Sequence, residues 1–295
     1  MVTTATTQCW ICGGTSWKPF KASTLGHSIT SEDFKITDAH YGHTGRIEQC
    51  VSCGFKQCAD IDSVLKFYES LEDPAYDEGR DQRGLQARKI LEAILPYKKS
   101  GSLLDIGAAS GILLEQAARL GFDGVGVEPS RQLASRAVAS GLKVHLGIFP
   151  HAEVKGPFDI ITLIDVIEHV PNPIQVLRDI ADHLKPDGVG VLTTPDVQSL
   201  AARLLGPRWW HFRVAHIGYF NHETISRALA EAGLSVIKIT RPAWYFTWDY
   251  AAERAMNYMP KPIRFKLPAA ARDHTIRVNF RDSLQVIFRK ANSHK

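Results

Sequence analysis

The chain has 295 residues, 44% hydrophobic and 22% charged, which is enough for one large core and an appendage. A net charge of +4 without a clustered basic run argues against a nucleic-acid partner. No apolar run approaches the ~20 residues of a membrane span and no signal-peptide core opens the chain, so a cytoplasmic protein is expected.

Residues 1–58 are polar, rich in Thr, Gly and His, and hold all five cysteines: Cys9, Cys12, Cys50, Cys53 and Cys58. "CWICGG" and "CVSCGF" are two C-x-x-C-G knuckles. Each short turn aims two thiolates at one point, and its glycine permits the turn that brings backbone N–H groups toward sulfur. Four thiolates close a tetrahedral site with no open position, so Cys9, Cys12, Cys50 and Cys53 are expected to hold a structural Zn2+. Cys58 is left over as a free thiol. The segment has too few apolar residues for a core of its own, a situation that a structural metal resolves.

Residues 59–101 show helical spacing through Leu65, Tyr68 and Leu71, and again through Leu85, Ile90, Leu91 and Ile94. A proline and several charges break the pattern between them. This stretch reads as a helical linker or lid.

From residue 102 strands and helices alternate. "SLLDIG", "GVGVEPS", "KVHLG", "FDIITLIDV", "GVGVLTTPD" and "LSVIKIT" are strands. The helices between them are "ILLEQAARLG", "RQLASRAVASG", "NPIQVLRDIADHLKPDG" and "NHETISRALAEAG". A last strand, "SLQVIFRK", follows a chain reversal and is expected to be antiparallel. The prediction is an α/β, Rossmann-like, seven-stranded and mostly parallel sheet with helices on both faces over 102–295, preceded by a small zinc-ribbon module over 1–58. An aromatic and basic insertion over 242–281 reads as a cap on the pocket. Contact with a membrane surface and a homodimer interface are its alternatives.

Ligands in open α/β sheets lie beyond the carboxyl ends of the strands. There the turn "LLDIGAASG" offers Asp105, Gly107, Ala108, Ala109, Ser110 and Gly111, without the middle glycine that a dinucleotide pyrophosphate asks for. Glu128, followed by Pro129, ends the next strand, where a carboxylate accepts both hydroxyls of a ribose. A nucleoside-type ligand is expected.

The order of parts resembles the class I S-adenosylmethionine-dependent methyltransferases over roughly residues 60–291. "DIGAASG", "GVEPS", "FDIITLIDVIEHVPNP" and "LKPDGVGVLTTP" resemble four of their motifs in the right order. The resemblance places Asp105 and Gly107 near the amino-acid end of the cofactor and Glu128 on its ribose. The missing glycine is then expected, because there is no pyrophosphate to approach. Many relatives carry an acid for the adenine amino group after the third strand, but "HLGIFPH" offers Ile148 there. Adenine would depend on backbone groups near Ile148 and Phe149 and on apolar packing.

"DVIEHVPNP" places Asp165, Glu168 and His169 at the rim where an acceptor sits. Such groups orient an acceptor, take its proton or bind a divalent ion. The ubiquinone-biosynthesis O-methyltransferases show a similar acid-x-x-Glu-His arrangement, which implies a Mg2+-type ion at Asp165, Glu168 and His169. The plainer alternative is that Glu168 and His169 shape the loop while Asp165 touches the cofactor through its backbone. "GPRWWHFRVAHIGYFNHET" adds Trp209, Trp210, His211, His216 and Tyr219 on the substrate side, with His216 the better candidate base and His211 the second. The expected function is methyl transfer to a small-molecule acceptor, with oxygen preferred over nitrogen or carbon. Its rival is a non-catalytic binding protein that keeps the fold and uses the ribbon for a partner.

Overall fold

A computed structural model describes residues 8–26, 29–35, 41–61, 64–256 and 274–291. Three short strands come first: β1 (Trp17–Lys21), β2 (Ile47–Cys50) and β3 (Lys56–Cys58). Helices α1 (Leu65–Glu69) and α2 (Arg80–Glu92) lead into β4 (Gly101–Ile106). Strict alternation then begins, with α3 (Ile112–Arg119), β5 (Phe122–Glu128), α4 (Arg131–Ala139) and β6 (Val144–Leu146). A second strand, β7 (Phe158–Ile164), follows β6 without a helix between, and then come α5 (Pro173–His183), β8 (Leu184–Pro195) and α6 (Leu200–Leu205). The rest is β9 (Gly218–Tyr219), α7 (His222–Glu231), β10 (Leu234–Thr240), β11 (Trp244–Thr247), α8 (Trp248–Met256), β12 (Thr275–Val278) and β13 (Ser283–Lys290).

The main sheet has seven strands in the order β10, β13, β8, β7, β4, β5, β6. Strand β13 runs antiparallel to both of its neighbours, and the other adjacent pairs are parallel. Strand β7 is apolar along nearly its whole length because helices cover both faces of the sheet; Ile160, Ile161 and Leu163 are fully buried. Helix α5 starts where Asn172 Oδ1 accepts the Gln175 N–H at 3.2 Å and Pro173 takes the first helical position. It stops at His183. The "LKPDG" that was expected to end this helix instead opens β8, with Leu184 opposite Phe158 and Lys185 on the Asp159 carboxylate at 2.7 Å.

The N-terminal strands do not stand alone. They form a four-stranded sheet in the order β1, β2, β3, β9, and β9 comes from the far side of the chain. Phe55 packs on Phe220 with ring centroids 5.0 Å apart. Cys9, Ile11, Cys50 and Phe55 share one apolar cluster with Ile106, Leu163 and Ile167 of the main core. The apolar residues that are too few for a separate core are buried against the large one.

Within the insertion, β11 and β12 pair antiparallel, and Gln82 of α2 donates to Thr275 Oγ1 at 2.9 Å. Residues 257–273, with Tyr258, lie outside the described residues. Among the described residues no helix is long and apolar enough to cross a membrane.

Candidate functional site

The carboxyl ends of β4, β5, β6, β7 and β8 meet along one edge of the sheet, and the candidate residues gather there. Asp105, at the end of β4, is 3% exposed and accepts the Thr162 hydroxyl at 2.6 Å. Glu128, at the end of β5, holds the following turn: Oε2 accepts the Ala109 N–H at 2.8 Å and Oε1 the Ser130 N–H at 2.7 Å. Burial pushes the Asp105 carboxyl up to about 7, against the Thr162 bond, with the nearby Glu128 charge adding to the rise. Burial raises Glu128 to about 7 as well, against its two backbone bonds. Two acids that are hard to ionise therefore face one space.

Ala109 stands where the middle glycine was missing and takes a left-handed φ of 47°. Gly111 serves packing rather than approach to a ligand, because a Cβ there would lie 2.2 Å from Leu142. Ser110 is buried and turned toward the preceding helices, donating to Asp77 Oδ1 at 2.8 Å. Ala108 is buried in the turn. Pro129 is half-buried beside Glu128. Phe149 points into the core against His183, whereas Ile148 leaves 49% of its surface exposed.

Residues 71–83 cross over this space. Ser130 Oγ donates to the Leu71 carbonyl at 3.0 Å, and Arg136 pairs with Asp77 at 3.1 Å. Tyr76 is half-buried, and the Arg83 guanidinium lies 4.2 Å from its ring centroid. Arg83 Nε is buried and has no hydrogen-bond partner among the described residues. The Arg83 charge reaches Asp165. Neither Tyr76 nor Arg83 stands in a motif, and only the crossing of the chain brings them here.

The loop after β7 divides its three candidates. Asp165 has a φ of 53°, and its carboxylate accepts the Thr193 hydroxyl at 2.8 Å. Glu168 is 1% exposed; Oε2 accepts from Thr194 at 3.0 Å, and Oε1 has no partner among the described residues. His169 Nδ1 lies 2.7 Å from the Ala215 carbonyl and 3.0 Å from the Tyr68 hydroxyl. A carbonyl only accepts, so Nδ1 carries the proton. Burial holds His169 down to about 4 and His216 well below the usual imidazole range, and raises Glu168 well above the carboxylate range.

Donor atoms of Glu168, His169 and His216 lie within 4.8 Å of one another, and Asp165 is not among them. This differs from the expected set of Asp165, Glu168 and His169. The reason is the turn at Asp165, which binds that carboxylate to Thr193. His211 is the more open imidazole: its side chain is 23% exposed, and Nε2 lies 3.3 Å from Asp282 Oδ2. His216 is 8% exposed.

The four cysteines converge. Cys9 and Cys53 sulfurs are 3.5 Å apart, as are those of Cys12 and Cys50, and all four lie within 4.8 Å. Those distances far exceed the ~2.05 Å of a disulfide and suit the edges of a tetrahedron with ~2.3 Å metal–sulfur bonds. Backbone N–H groups of Ile11 and Cys12 point at Cys9 sulfur, and those of Ser52 and Cys53 at Cys50. Cys58 is buried and outside this cluster.

A methyltransferase domain family matches residues 77–239, more than half of the chain. The ubiquinone biosynthesis O-methyltransferase of Caulobacter vibrioides is 36% identical over 120 residues, which cover 37% of this chain and 47% of that protein. That of Parvibaculum lavamentivorans is 28% identical over 193 residues, covering 60% and 74%. The match to the first spans about half of that relative's length. A chain from the Haloferax volcanii complex of the Trm112 methyltransferase activator with a methyltransferase shares the fold. Its TM-score is 0.54 at 18% identity, over 75% of this chain and 95% of that one.

Proposed function

The chain belongs to the methyltransferase domain family, and from that premise we propose that it transfers the methyl group of S-adenosylmethionine to a hydroxyl of a small-molecule acceptor. The pair of buried acids at consecutive strand ends, Asp105 and Glu128, is the observation that carries this reading. Each Glu128 oxygen accepts one backbone bond and keeps a lone pair, which suits the two hydroxyls of a ribose. Arg83, with its buried and unpartnered Nε, suits the cofactor's carboxylate; Asp105 suits its ammonium. The half-exposed Ile148 gives adenine an apolar surface in place of an acid. Bound S-adenosylmethionine supplies a sulfonium methyl whose departure leaves a neutral sulfur, so the protein needs no acid for the leaving group. The protein's part is to position the acceptor, exclude water and receive the hydroxyl proton.

Calorimetry with S-adenosylmethionine and its demethylated product tests the reading, and absence of binding at millimolar concentration rejects it. Transfer of labelled methyl to fractionated small-molecule extracts then identifies the acceptor.

Cofactor affinity should depend on pH with a sign set by the raised carboxyls. Ribose hydroxyls donate to ionised Glu128, which predominates only above about 7. Affinity should rise between about pH 6 and about pH 8 and then level off, by up to about tenfold per unit for each proton released. Stability of the unliganded protein runs the other way. Folded pKa values above the unfolded ones favour the protonated fold, so this contribution is lost as pH rises through about 7. Affinity that falls over the same range overturns the assignment.

Magnesium does not fit the loop after β7. It asks for near-octahedral oxygen ligands, whereas the cluster gives one carboxylate and two imidazoles and leaves Asp165 out. The reaction is therefore read without it. Brief EDTA treatment that leaves the ribbon metal bound should not change the rate of methyl transfer. Loss of rate restored by magnesium would reject this.

The four thiolates fit zinc, which would hold the two knuckles together without taking part in the chemistry.

A further inference from the structure

A cavity of about 480 Å³ opens at the end of β10, away from the turn after β4 and the loop after β7. Arg241, Arg281, Asn279 and His222 line it together with the apolar Ile239 and Leu284, and none of its lining residues is acidic. Hydrogen bonds hold the two arginines before any ligand arrives. Asn279 Nδ2 donates to the Arg241 carbonyl at 3.1 Å, and Asn279 Oδ1 accepts the Arg281 N–H at 2.8 Å. The Arg241 guanidinium donates to the Arg281 carbonyl through Nη1 and to the Asp196 carboxylate through Nη2. Arg281 is thereby kept at a left-handed φ of 54°, which a residue with a Cβ adopts only where its surroundings hold it. Asp196 offsets the Arg241 charge, whereas the Arg281 guanidinium has no ion pair or hydrogen bond among the described residues. His222 begins α7, so the positive end of that helix lies beside the same space. Glu223, the next residue, is not part of the lining.

The chemistry of this set is that of an anion site, and phosphate suits it better than a carboxylate. A carboxylate occupies one guanidinium fork, whereas a phosphate offers oxygens to several donors at once. The cavity also joins the rest of the site. Both β10 and β8 run antiparallel to β13, so the carboxyl end of β10 opens on the same edge as those of β4, β5 and β7. Phe280, between Asn279 and Arg281, packs on Trp210 with ring centroids 5.1 Å apart. Trp210 Nε1 donates to Asp282 Oδ2 at 2.8 Å, and the Asp282 carbonyl accepts the Asp196 N–H at 2.7 Å. Strand β10 stands three strands from β7 in the sheet, roughly 14 Å at ~4.8 Å per step. An anion held here and a hydroxyl held at the loop after β7 are then the two ends of one elongated molecule.

We propose that the cavity between Arg241 and Arg281 binds a phosphate group, and that the methyl acceptor is a phosphate or pyrophosphate ester whose methylated hydroxyl lies on the order of 10–15 Å from that group. The identity of the acceptor rests on the methyltransferase reading; the anion site does not.

Calorimetry with inorganic pyrophosphate in magnesium-free buffer tests the site on the full-length protein. Binding at millimolar concentration is expected, weakened about tenfold or more in Arg281→Gln and less in Arg281→Lys, which keeps the charge and loses the fork. Circular dichroism and S-adenosylmethionine affinity should stay unchanged in both variants. Absence of pyrophosphate binding, or equal binding by the native protein and Arg281→Gln, overturns the site. Labelled methyl transfer to extract fractions, with and without prior treatment by nucleotide pyrophosphatase and alkaline phosphatase, tests the acceptor. The treatment should remove the labelled product, and pyrophosphate should raise KM for the untreated acceptor without lowering kcat. An acceptor that survives the treatment, or a pyrophosphate effect on kcat alone, points to free phosphate at the cavity and overturns the acceptor assignment. Failure of S-adenosylmethionine to bind the native protein sinks the methyltransferase reading instead, and the pyrophosphate titration still decides the cavity.

Discussion

Gly107→Val abolishes S-adenosylmethionine binding in a protein that still folds, and Glu128→Ala weakens it by about 1.5–3 kcal/mol, roughly 10- to 150-fold. Gly107 has a φ of 77°, in the region that favours glycine, and a Cβ there would lie 2.6 Å from Val166 Cγ2. Valine thus fills the turn after β4 and pushes the loop after β7 away. Both border the proposed cofactor space. Removing the Glu128 carboxylate takes away the proposed ribose acceptor and also frees the N–H groups of Ala109 and Ser130. The turn then loses its tie at the residue that holds a left-handed conformation without being glycine. Calorimetry, with circular dichroism to check the fold, measures both variants. Unchanged affinity in folded Glu128→Ala rejects the ribose assignment.

Cys50→Ser should release the proposed zinc and stop turnover while cofactor affinity changes little. A structural zinc contributes on the order of 10 kcal/mol to folding, comparable with the whole stability of a typical domain. Without it, β2 and β3 lose their anchor. Strand β3 is what β9 pairs with, through Lys56 opposite Tyr219, and Phe55 covers Phe220. The Cys58 N–H donates to the Ile217 carbonyl at 2.8 Å, and the Ile217 N–H to that of Glu168 at 2.9 Å. Loss of the ribbon is thereby transmitted to the His216 and Glu168 side of the rim. Asp105 and Glu128 end other strands of the main sheet and keep their own bonds. Elemental analysis of the native protein should find about one zinc per chain, with sulfur at ~2.3 Å by X-ray absorption. A metal-free native protein, or a Cys50→Ser variant with full turnover, defeats this account.

Local pattern determined a good deal. Apolar runs that end in Asp105, Glu128 and Asp165 mark buried parallel strands, because burial on both faces demands an unbroken apolar stretch. The glycines and small residues after Asp105 mark a tight turn, and two C-x-x-C-G knuckles mark a four-thiolate site. Each signal lies within a few residues of sequence. Among the elements that local pattern missed are β1–β3, β9, β11 and β12, and the start of β8, where pairing with β7 overrode the helical look of "LKPDG".

Everything that distinguishes one site residue from another came from contacts distant in sequence. Trp210 and Asp282 meet across 72 residues because β13 returns antiparallel to the edge of β8. Arg83 and Tyr76 cover the acids because residues 71–83 cross the strand ends. His216 and His211 are both candidate bases by residue type, and only packing makes one of them enclosed and leaves the other an open edge near the Asp282 carboxylate. Pairing with β9 and packing on Phe220 build the N-terminal strands into the main core, across more than 150 residues of sequence. Periodicity reports which face of an element is apolar. Exposure, ionisation and the partner of each polar atom depend on which elements pack together, and that is decided only when the chain closes on itself.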